Sequence, residues 1–398
     1  MRIPEIGLLV ALLLNGSVDW YLYCFLKSRF SSRIPALIQL CTAVLLLAGL
    51  VSFFFLPVKS YSDACLRALM WVIFIYISVY VPKYIFMVFD LIARIPQLWR
   101  HRKLTFVTWS GAILGVIIFL SLWWGALFNR FNIEVKDVDV AVKDLPSAFE
   151  GFKIAQISDL HVGTYGNDTV FVSRLVDEIN SLHPDVVLFT GDIVNRHTDE
   201  LLPFTAALSR IKAPLGVYSV LGNHDYGDYY EWPDSMARER NNKRLADMQA
   251  EMGWRMLNND FAYLTARNDT IVLIGVENIG DPPFHIYGNL QKAYPATADS
   301  KVKILMSHNP AHWVKDIADN PDFNIPLTLS GHTHAMQMTF FGYSPASMRY
   351  KTWGGLYSDS TRTHQLYVNI GTGTVGFPAR LGATPEITLI TLHNDGIK

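Results

Sequence analysis

Four apolar stretches of about twenty residues each crowd the first 130 positions of this 398-residue chain, and no other feature narrows its fold as much. They cover roughly residues 5–26, 35–57, 66–90 and 105–128, each long enough to cross a bilayer core as a helix. Pro82-Lys83 interrupts the third. The first does not read as a cleaved leader, because only Arg2 precedes it and no small-x-small cleavage pattern follows. Residues 1–130 are therefore expected to form an N-terminal bundle of four transmembrane helices in a plasma or inner membrane. Asp19 and Lys83 are the two charges well inside spans. An unpaired charge at that depth costs roughly 2.5–3.5 kcal/mol, so they are expected either to pair or to snorkel to the interface.

Charge divides the chain in the same place. Residues 1–130 hold 12 Lys and Arg against 4 Asp and Glu, whereas the remainder holds 22 against 31. An acidic second half with no basic run excludes nucleic acid as a partner. Basic residues also orient the bundle. Lys27, Arg29 and Arg33 follow the first span and Arg94, Arg100, Arg102 and Lys103 the third, against Arg2, Lys59 and Arg67 on the other side. The positive-inside rule then puts everything after residue 130 outside the cytoplasm, with Arg130 counting weakly against it. All three cysteines, Cys24, Cys41 and Cys65, precede that point, so no thiolate metal site or disulfide is expected beyond it.

Residues 131–151 alternate apolar and polar side chains (Ile133, Val135, Val138, Val140, Val142) and read as a linker and lead-in edge strand. From 152 to 398, short apolar runs at 152–157, 185–190, 216–221, 271–276, 303–307, 326–329, 366–370 and 386–392 alternate with helical patterns at 168–182, 200–211 and 234–252. That mixture is an α/β sandwich of sheets flanked by helices.

Several of these runs stop at metal-binding side chains: Ser158-Asp159-Leu160-His161, Gly191-Asp192, Gly222-Asn223-His224-Asp225, Ser307-His308 and Gly331-His332-Thr333-His334. Any one of these histidines alone reads more readily as a satisfied core or loop residue, but five ordered units do not. Ligands from the C-terminal ends of several strands converge on one sheet edge. Carboxylate, imidazole and amide donors without thiolate suit Mn, Fe or Zn. Two ions ~3.5–4 Å apart need a shared ligand, which a carboxylate provides best. His183, His197, His285, His312, His364 and His393 lie outside the motifs and read as ordinary, and Gly371-Thr372-Gly373 reads as a tight turn.

Asp-x-His, Gly-Asp, Gly-Asn-His-Asp, His and Gly-His-x-His in that order resemble the calcineurin-like metallophosphoesterase superfamily. The four spans, the lead-in Leu145-Pro146 to Ile154, and the tail Pro378-Ala379-Arg380 to Ile387 resemble its membrane-anchored branch. The resemblance implies a four-layer α/β/β/α sandwich over residues 152–398 and a hydrolase with two divalent or trivalent ions. Asp159, His161 and His334 would hold the first ion, Asp192 would bridge, and Asn223, His308 and His332 would complete the second. A metal-bridging hydroxide would attack phosphorus in line, His224 would protonate the leaving oxygen, and Asp225 would orient His224. The family usually has glycine two places after the last histidine where this chain has Met336, which implies a changed loop beside the site.

Two aromatic stretches flank the motifs. One starts at Tyr226, Tyr229, Tyr230 and Trp232; the other spans 338–359 with Phe340, Phe341 and Tyr343, and with Arg349 and Lys351 as substrate contacts. They are expected either to form a partly basic rim for a lipid-linked phosphate or to pack on themselves. Three functions follow: hydrolysis of a lipid-linked phosphomonoester or diester, cleavage of the pyrophosphate of UDP-2,3-diacylglucosamine, or a non-catalytic metal-binding sensor in the membrane.

Overall fold

The computed structural model describes residues 5–54, 60–280, 282, 285–295 and 301–395. Arg2, Lys59 and the end of the second apolar stretch lie outside them. The chain divides into two compact units, Met1–Leu127 with Gly376–Ala379, and Phe128–Val375 with Arg380–Lys398.

The first unit holds helices α1 (Glu5–Arg29), α2 (Ile34–Phe54), α3 (Asp63–Arg94) and α4 (Thr105–Leu127), each long and apolar enough to cross a membrane. Helix α3 begins where the Ser62 hydroxyl accepts the Cys65 N–H, and its terminal Asp63 and Arg94 complement the helix dipole. As the single third span requires, α3 runs unbroken through Pro82. In an apolar surrounding the helical backbone has nothing else to bond to, so a proline there is tolerated inside the helix rather than ending it.

Polar side chains inside this unit are satisfied by one another. Lys83 Nζ lies 2.8 Å from Asp19 Oδ1, the pairing alternative, and Asp19 also accepts from Tyr80 (2.7 Å) and Gln39 (2.9 Å). Asp90 is fully buried and accepts from Tyr21, Arg94, Lys103 and Thr108. Asp19 of α1 thus draws donors from α2 and α3, and Asp90 of α3 from α1, α4, its own helix and the segment between α3 and α4, which ties the helices together.

The second unit is a four-layer α/β/β/α sandwich. One sheet has the order β1-β12-β2-β3-β4-β5, built from Glu134–Val142, Glu386–Asn394, Phe152–Ile157, Val186–Phe189, Val217–Ser219 and Trp254–Met256. The other runs β10-β11-β9-β8-β7-β6, from Gly355–Ser358, Gln365–Val368, Leu327–Ser330, Lys303–Met306, Asp269–Gly275 and Asp260–Ala266. Residues such as Ile154, Leu188, Ile304, Leu329 and Ile390 fill the space between them. Helix α5 (Val170–Ser181) buries Phe171, Val172, Leu175, Val176 and Ile179, a spacing that makes one apolar stripe, against the outside of the first sheet. The short α6 (Thr205–Leu208) and the long α7 (Ser235–Glu251) join it there. Leu290 of α8 (Leu290–Ala293), with Trp313 and Ile317, covers the outside of the second sheet.

β1 is an edge strand, paired in parallel with β12. The 200–211 pattern is not one helix but a 3-10 turn over Thr198–Phe204 followed by α6, with Pro203 at the junction. A proline lacks the N–H that a regular helix would need there.

The membrane unit yields a direct test. Asp19→Asn and Lys83→Met should each lower thermal stability in detergent, and the double variant should lose less than the two combined, with a coupling of about 1 kcal/mol. Strict additivity would mean that the pair contributes nothing as a pair.

Candidate metal centre

The loops after β2, β3 and β4 of one sheet and after β8 and β9 of the other carry all the motif residues. They are held by backbone first. Asp159 N–H donates to Gly191 O (2.9 Å) and His161 N–H to Asp192 O (3.1 Å), which zips the two ligand loops together. Gly373 N–H and Thr372 N–H donate to Asp159 O and Ser158 O, so the Gly371–Gly373 turn spends its donors buttressing that loop. Asp159, His161, Asp192, His332 and His334 all have positive φ, between 45° and 74°. Each such residue costs on the order of 1 kcal/mol, and strain of this kind gathers where function over-determines the backbone.

Two glycines make the approach possible. A Cβ on Gly191, which has φ 98°, would lie 2.6 Å from Gly222 N and 2.8 Å from His308 Nδ1. One on Gly331 would lie 1.9 Å from Ser158 Oγ and 2.3 Å from Asp159 Oδ2. A side chain at Gly191 would collide with the Gly222 backbone and the His308 ring, and one at Gly331 would push the Asp159 carboxylate out.

Three groups of ligand atoms result: Asp159, His161 and His334; His161, Asp192 and His224; and Asp192, His308 and His332. His161 Nε2 is 3.1 Å from His334 Nε2, which is 3.2 Å from Asp159 Oδ1. Asp192 Oδ2 lies 3.2 Å from His308 Nε2 and 3.6 Å from His161 Nε2, while Oδ1 accepts the His224 N–H at 2.8 Å. Asp192 therefore faces both clusters.

The donor set fits two ions. Ligands about 2.1 Å from a shared ion and at right to tetrahedral angles lie roughly 3.0–3.4 Å apart, close to most of these separations. Asn223 Oδ1 is buried with no hydrogen-bond partner, and His308 Nε2, also buried, faces the Asp192 carboxylate at 3.2 Å. The other polar atom of each is occupied: His308 Nδ1 faces Thr190 O at 2.7 Å, and Asn223 Nδ2 donates to the Tyr229 hydroxyl at 3.0 Å. Second partners of this kind fix which atom faces a metal.

Electrostatics follow from burial among unlike charges. Burial pushes the Asp192 carboxyl up, but His308 and His224 hold it well below the usual carboxylate range. Burial likewise opposes charge on His308, and Asp192 more than offsets it, raising that imidazole to about 9. Desolvation, with His308 beside it, lowers the half-buried His332 to about 3.

Asp225 does not do what its place in the motif suggested. Its carboxylate accepts the backbone N–H groups of Asp192, Ile193, Val194 and Gly222, at 2.8–3.2 Å. It locks two ligand loops together, and the Asn195 carbonyl orients His224 instead, 2.7 Å from Nδ1. A carboxylate enclosed by four N–H donors has no face left for an imidazole. Tyr229 stacks on the His224 ring at 4.2 Å.

Arg349 and Lys351, the expected substrate contacts, are both exposed, and Arg349 donates to Pro282 O at 3.0 Å. Between them Tyr350 does reach the site, its hydroxyl 3.0 Å from His332 Nε2. Arg380 is also there, fully buried, with Nη2 3.3 Å from His334 Nδ1 and donors to the carbonyls of Gly373, Ala383 and Ile370. Sequence offered only weak signals for these: an aromatic stretch for Tyr229 and Tyr350, and the Pro378-Ala379-Arg380 tail for Arg380.

Met336 sits in a run of four left-handed residues, His334 to Gln337, with φ 46° and an exposed side chain. Its backbone takes the conformation that glycine adopts freely. Met336→Gly should therefore raise thermal stability by about 0.5–1 kcal/mol, the relief of strain exceeding the entropy glycine adds to the unfolded chain. A loss of stability would show that the methionine side chain holds the turn.

Residues 152–336 match the family described as calcineurin-like phosphoesterase, and residues 3–130 match probable calcineurin-like phosphoesterase, transmembrane domain. The transmembrane protein with metallophosphoesterase domain of Danio rerio is 30% identical across 98% of this chain and 89% of its own length. Its Bos taurus counterpart is 31% identical over 65% of this chain and 57% of its own length. The uncharacterized metallophosphoesterase YkuE of Bacillus subtilis (strain 168) is 28% identical over 66% and 86%. With both regions matched, and a relative of 30% identity spanning nearly the whole chain, this protein belongs to the membrane-anchored calcineurin-like phosphoesterases and is a metal-dependent phosphoester hydrolase.

Proposed function

We propose that this protein hydrolyses a lipid-linked phosphomonoester or phosphodiester at the membrane surface, with its catalytic unit on the extracytoplasmic side. The observation that carries the reading is Asp192, one carboxylate facing two ligand groups with His224 directly beside it. Asp159, His161 and His334 would hold one ion, Asn223, His308 and His332 the other, and Asp192 both. Bound there, two divalent cations supply an activated water and neutralise charge on the phosphoryl oxygens.

The protein's own part is to position and to move a proton. With Nδ1–H donated to the Asn195 carbonyl, the atom of His224 left for the substrate is Nε2. From there an imidazolium passes its proton to the leaving oxygen, and the carbonyl stabilises the charged ring until it does. Tyr229, stacked on that ring, keeps water from one face. A sensor that only bound metal would have no use for this arrangement of His224, which argues against the non-catalytic reading.

The excess of Lys and Arg in the last turns of α1 and α3 and in the segments that follow them supports the extracytoplasmic side. Arg94 and Lys103 pair with Asp90, but the positive-inside rule counts basic residues rather than net charge. Cleavage of UDP-2,3-diacylglucosamine, a cytosolic substrate, would need the opposite orientation.

The test uses the full chain in detergent with Mn²⁺. It is offered a chromogenic phosphomonoester, a diester, a short-chain phosphatidic acid and UDP-2,3-diacylglucosamine. Hydrolysis should require metal, favour the lipid ester, and vanish in Asp192→Ala together with bound metal. His224→Ala should keep its metal and lose about 10²–10⁴-fold in kcat. Metal-loaded protein that cleaves none of the four, or turnover that survives Asp192→Ala, would sink the proposal.

A further inference from the structure

The segment that leaves the site at His334 and returns at Tyr350 carries an apolar surface that folding does not explain. Phe341 is 103% exposed, Met348 92%, Tyr343 76% and Phe340 54%. These side chains are held out rather than loosely strung. Phe340 and Tyr343 exchange two backbone hydrogen bonds, N–H to O, at 2.8 and 3.0 Å. Phe341 and Gly342 between them both have positive φ, 51° and 82°, the signature of a tight hairpin turn. Asn-Gly is the sequence that suits such a turn. Phenylalanine in its first position costs on the order of 1 kcal/mol of backbone strain and buries nothing in return.

The base of the segment is fixed to the site. The Ser344 hydroxyl donates to Ala335 O at 2.5 Å and Thr339 N–H to Leu381 O at 2.7 Å. At the far end the Tyr350 hydroxyl meets His332 Nε2. Arg349 and Lys351 are exposed on the same stretch.

We propose that this hairpin is a membrane-interface contact. Phe340, Phe341, Tyr343 and Met348 enter the boundary between headgroups and acyl chains, and Arg349 and Lys351 meet lipid phosphates. The bilayer is an obligate neighbour of a chain with four spans. Aromatic side chains with flanking cations are the composition that settles at that boundary. Both cations are exposed, Arg349 while also donating to Pro282 O, and they carry the charge that anionic headgroups attract. A second copy is the poorer occupant. A two-fold contact would set Arg349 and Lys351 against themselves, and four side chains fall short of the ~1,200–2,000 Å² that stable interfaces bury. The proposal deepens the reading of a lipid-linked substrate, since the segment leaves the site at His334 and its far end meets His332 through Tyr350, but its readout does not depend on hydrolysis.

The test uses the full chain with Cys24, Cys41 and Cys65 replaced by serine, reconstituted into nanodiscs of mixed neutral and anionic phospholipid. Phe341→Cys, Met348→Cys and, as reference, Asn268→Cys in the exposed β6–β7 turn are each labelled with an environment-sensitive fluorophore. Emission at the first two positions should shift to the blue and be quenched by nitroxide-bearing lipid at least roughly twofold more than at the reference. Water-like emission at both, unaffected by the nitroxide lipid, would overturn the proposal. Blue-shifted emission that the nitroxide lipid does not quench would place the hairpin against another protein surface and overturn it equally. If the lipid ester fails as a substrate while the quenching stands, the interface contact survives and the substrate reading falls.

Discussion

Everything in the catalytic unit bends around one carboxylate. Asp192 is buried to 1% exposure, faces imidazoles on two sides, and accepts the backbone of His224 on its remaining oxygen. A buried charge of this kind is tolerated only when it is surrounded by compensating groups. The fold supplies them by bringing five loops from two sheets to one point, by leaving glycine where a Cβ would displace the charge, and by holding ligand residues in left-handed backbone. Asp225 fastens this arrangement from behind through four backbone donors. The strained, polar centre stands on a sandwich whose apolar layers are continuous and fully buried, and that is what lets the centre be so unfavourable locally.

The membrane unit solves the same problem with different means. Asp19 and Asp90 are carboxylates in a predominantly apolar stretch of chain, Asp19 enclosed by hydroxyl, amide and cationic donors and Asp90 by two hydroxyls and two cations. In both units the costly group is a carboxylate that many elements must agree to satisfy, which makes it a device for fixing geometry as well as charge. The hairpin between His334 and Tyr350 is the opposite case, an apolar surface left unsatisfied by the protein and suited to lipid.

Much of this was legible in the sequence because it rests on strong local signals. Long apolar stretches mark the helices, period-two runs mark the long strands, and side chains with metal affinity stand at the ends of those runs. What escaped was decided by tertiary context. Gly-Asn-His-Asp does not reveal whether its last carboxylate faces an imidazole or a ring of backbone N–H groups. Eighteen residues separate His332 from Tyr350, and no periodicity links them. The three-residue β4 was found because its strand ends at a motif, whereas β5, equally short, carries no such marker.

The central claim is that one carboxylate couples two ions, and magnetism reports that coupling most directly. The full chain would be loaded with Mn²⁺, its metal content counted, and its electron paramagnetic resonance spectrum recorded beside that of Asp192→Asn. Two ions per chain with an exchange-coupled spectrum, collapsing in the variant to isolated Mn²⁺ or to lost metal, is the result expected of a shared carboxylate. A single ion, or two ions with uncoupled signals in the unaltered chain, would contradict it.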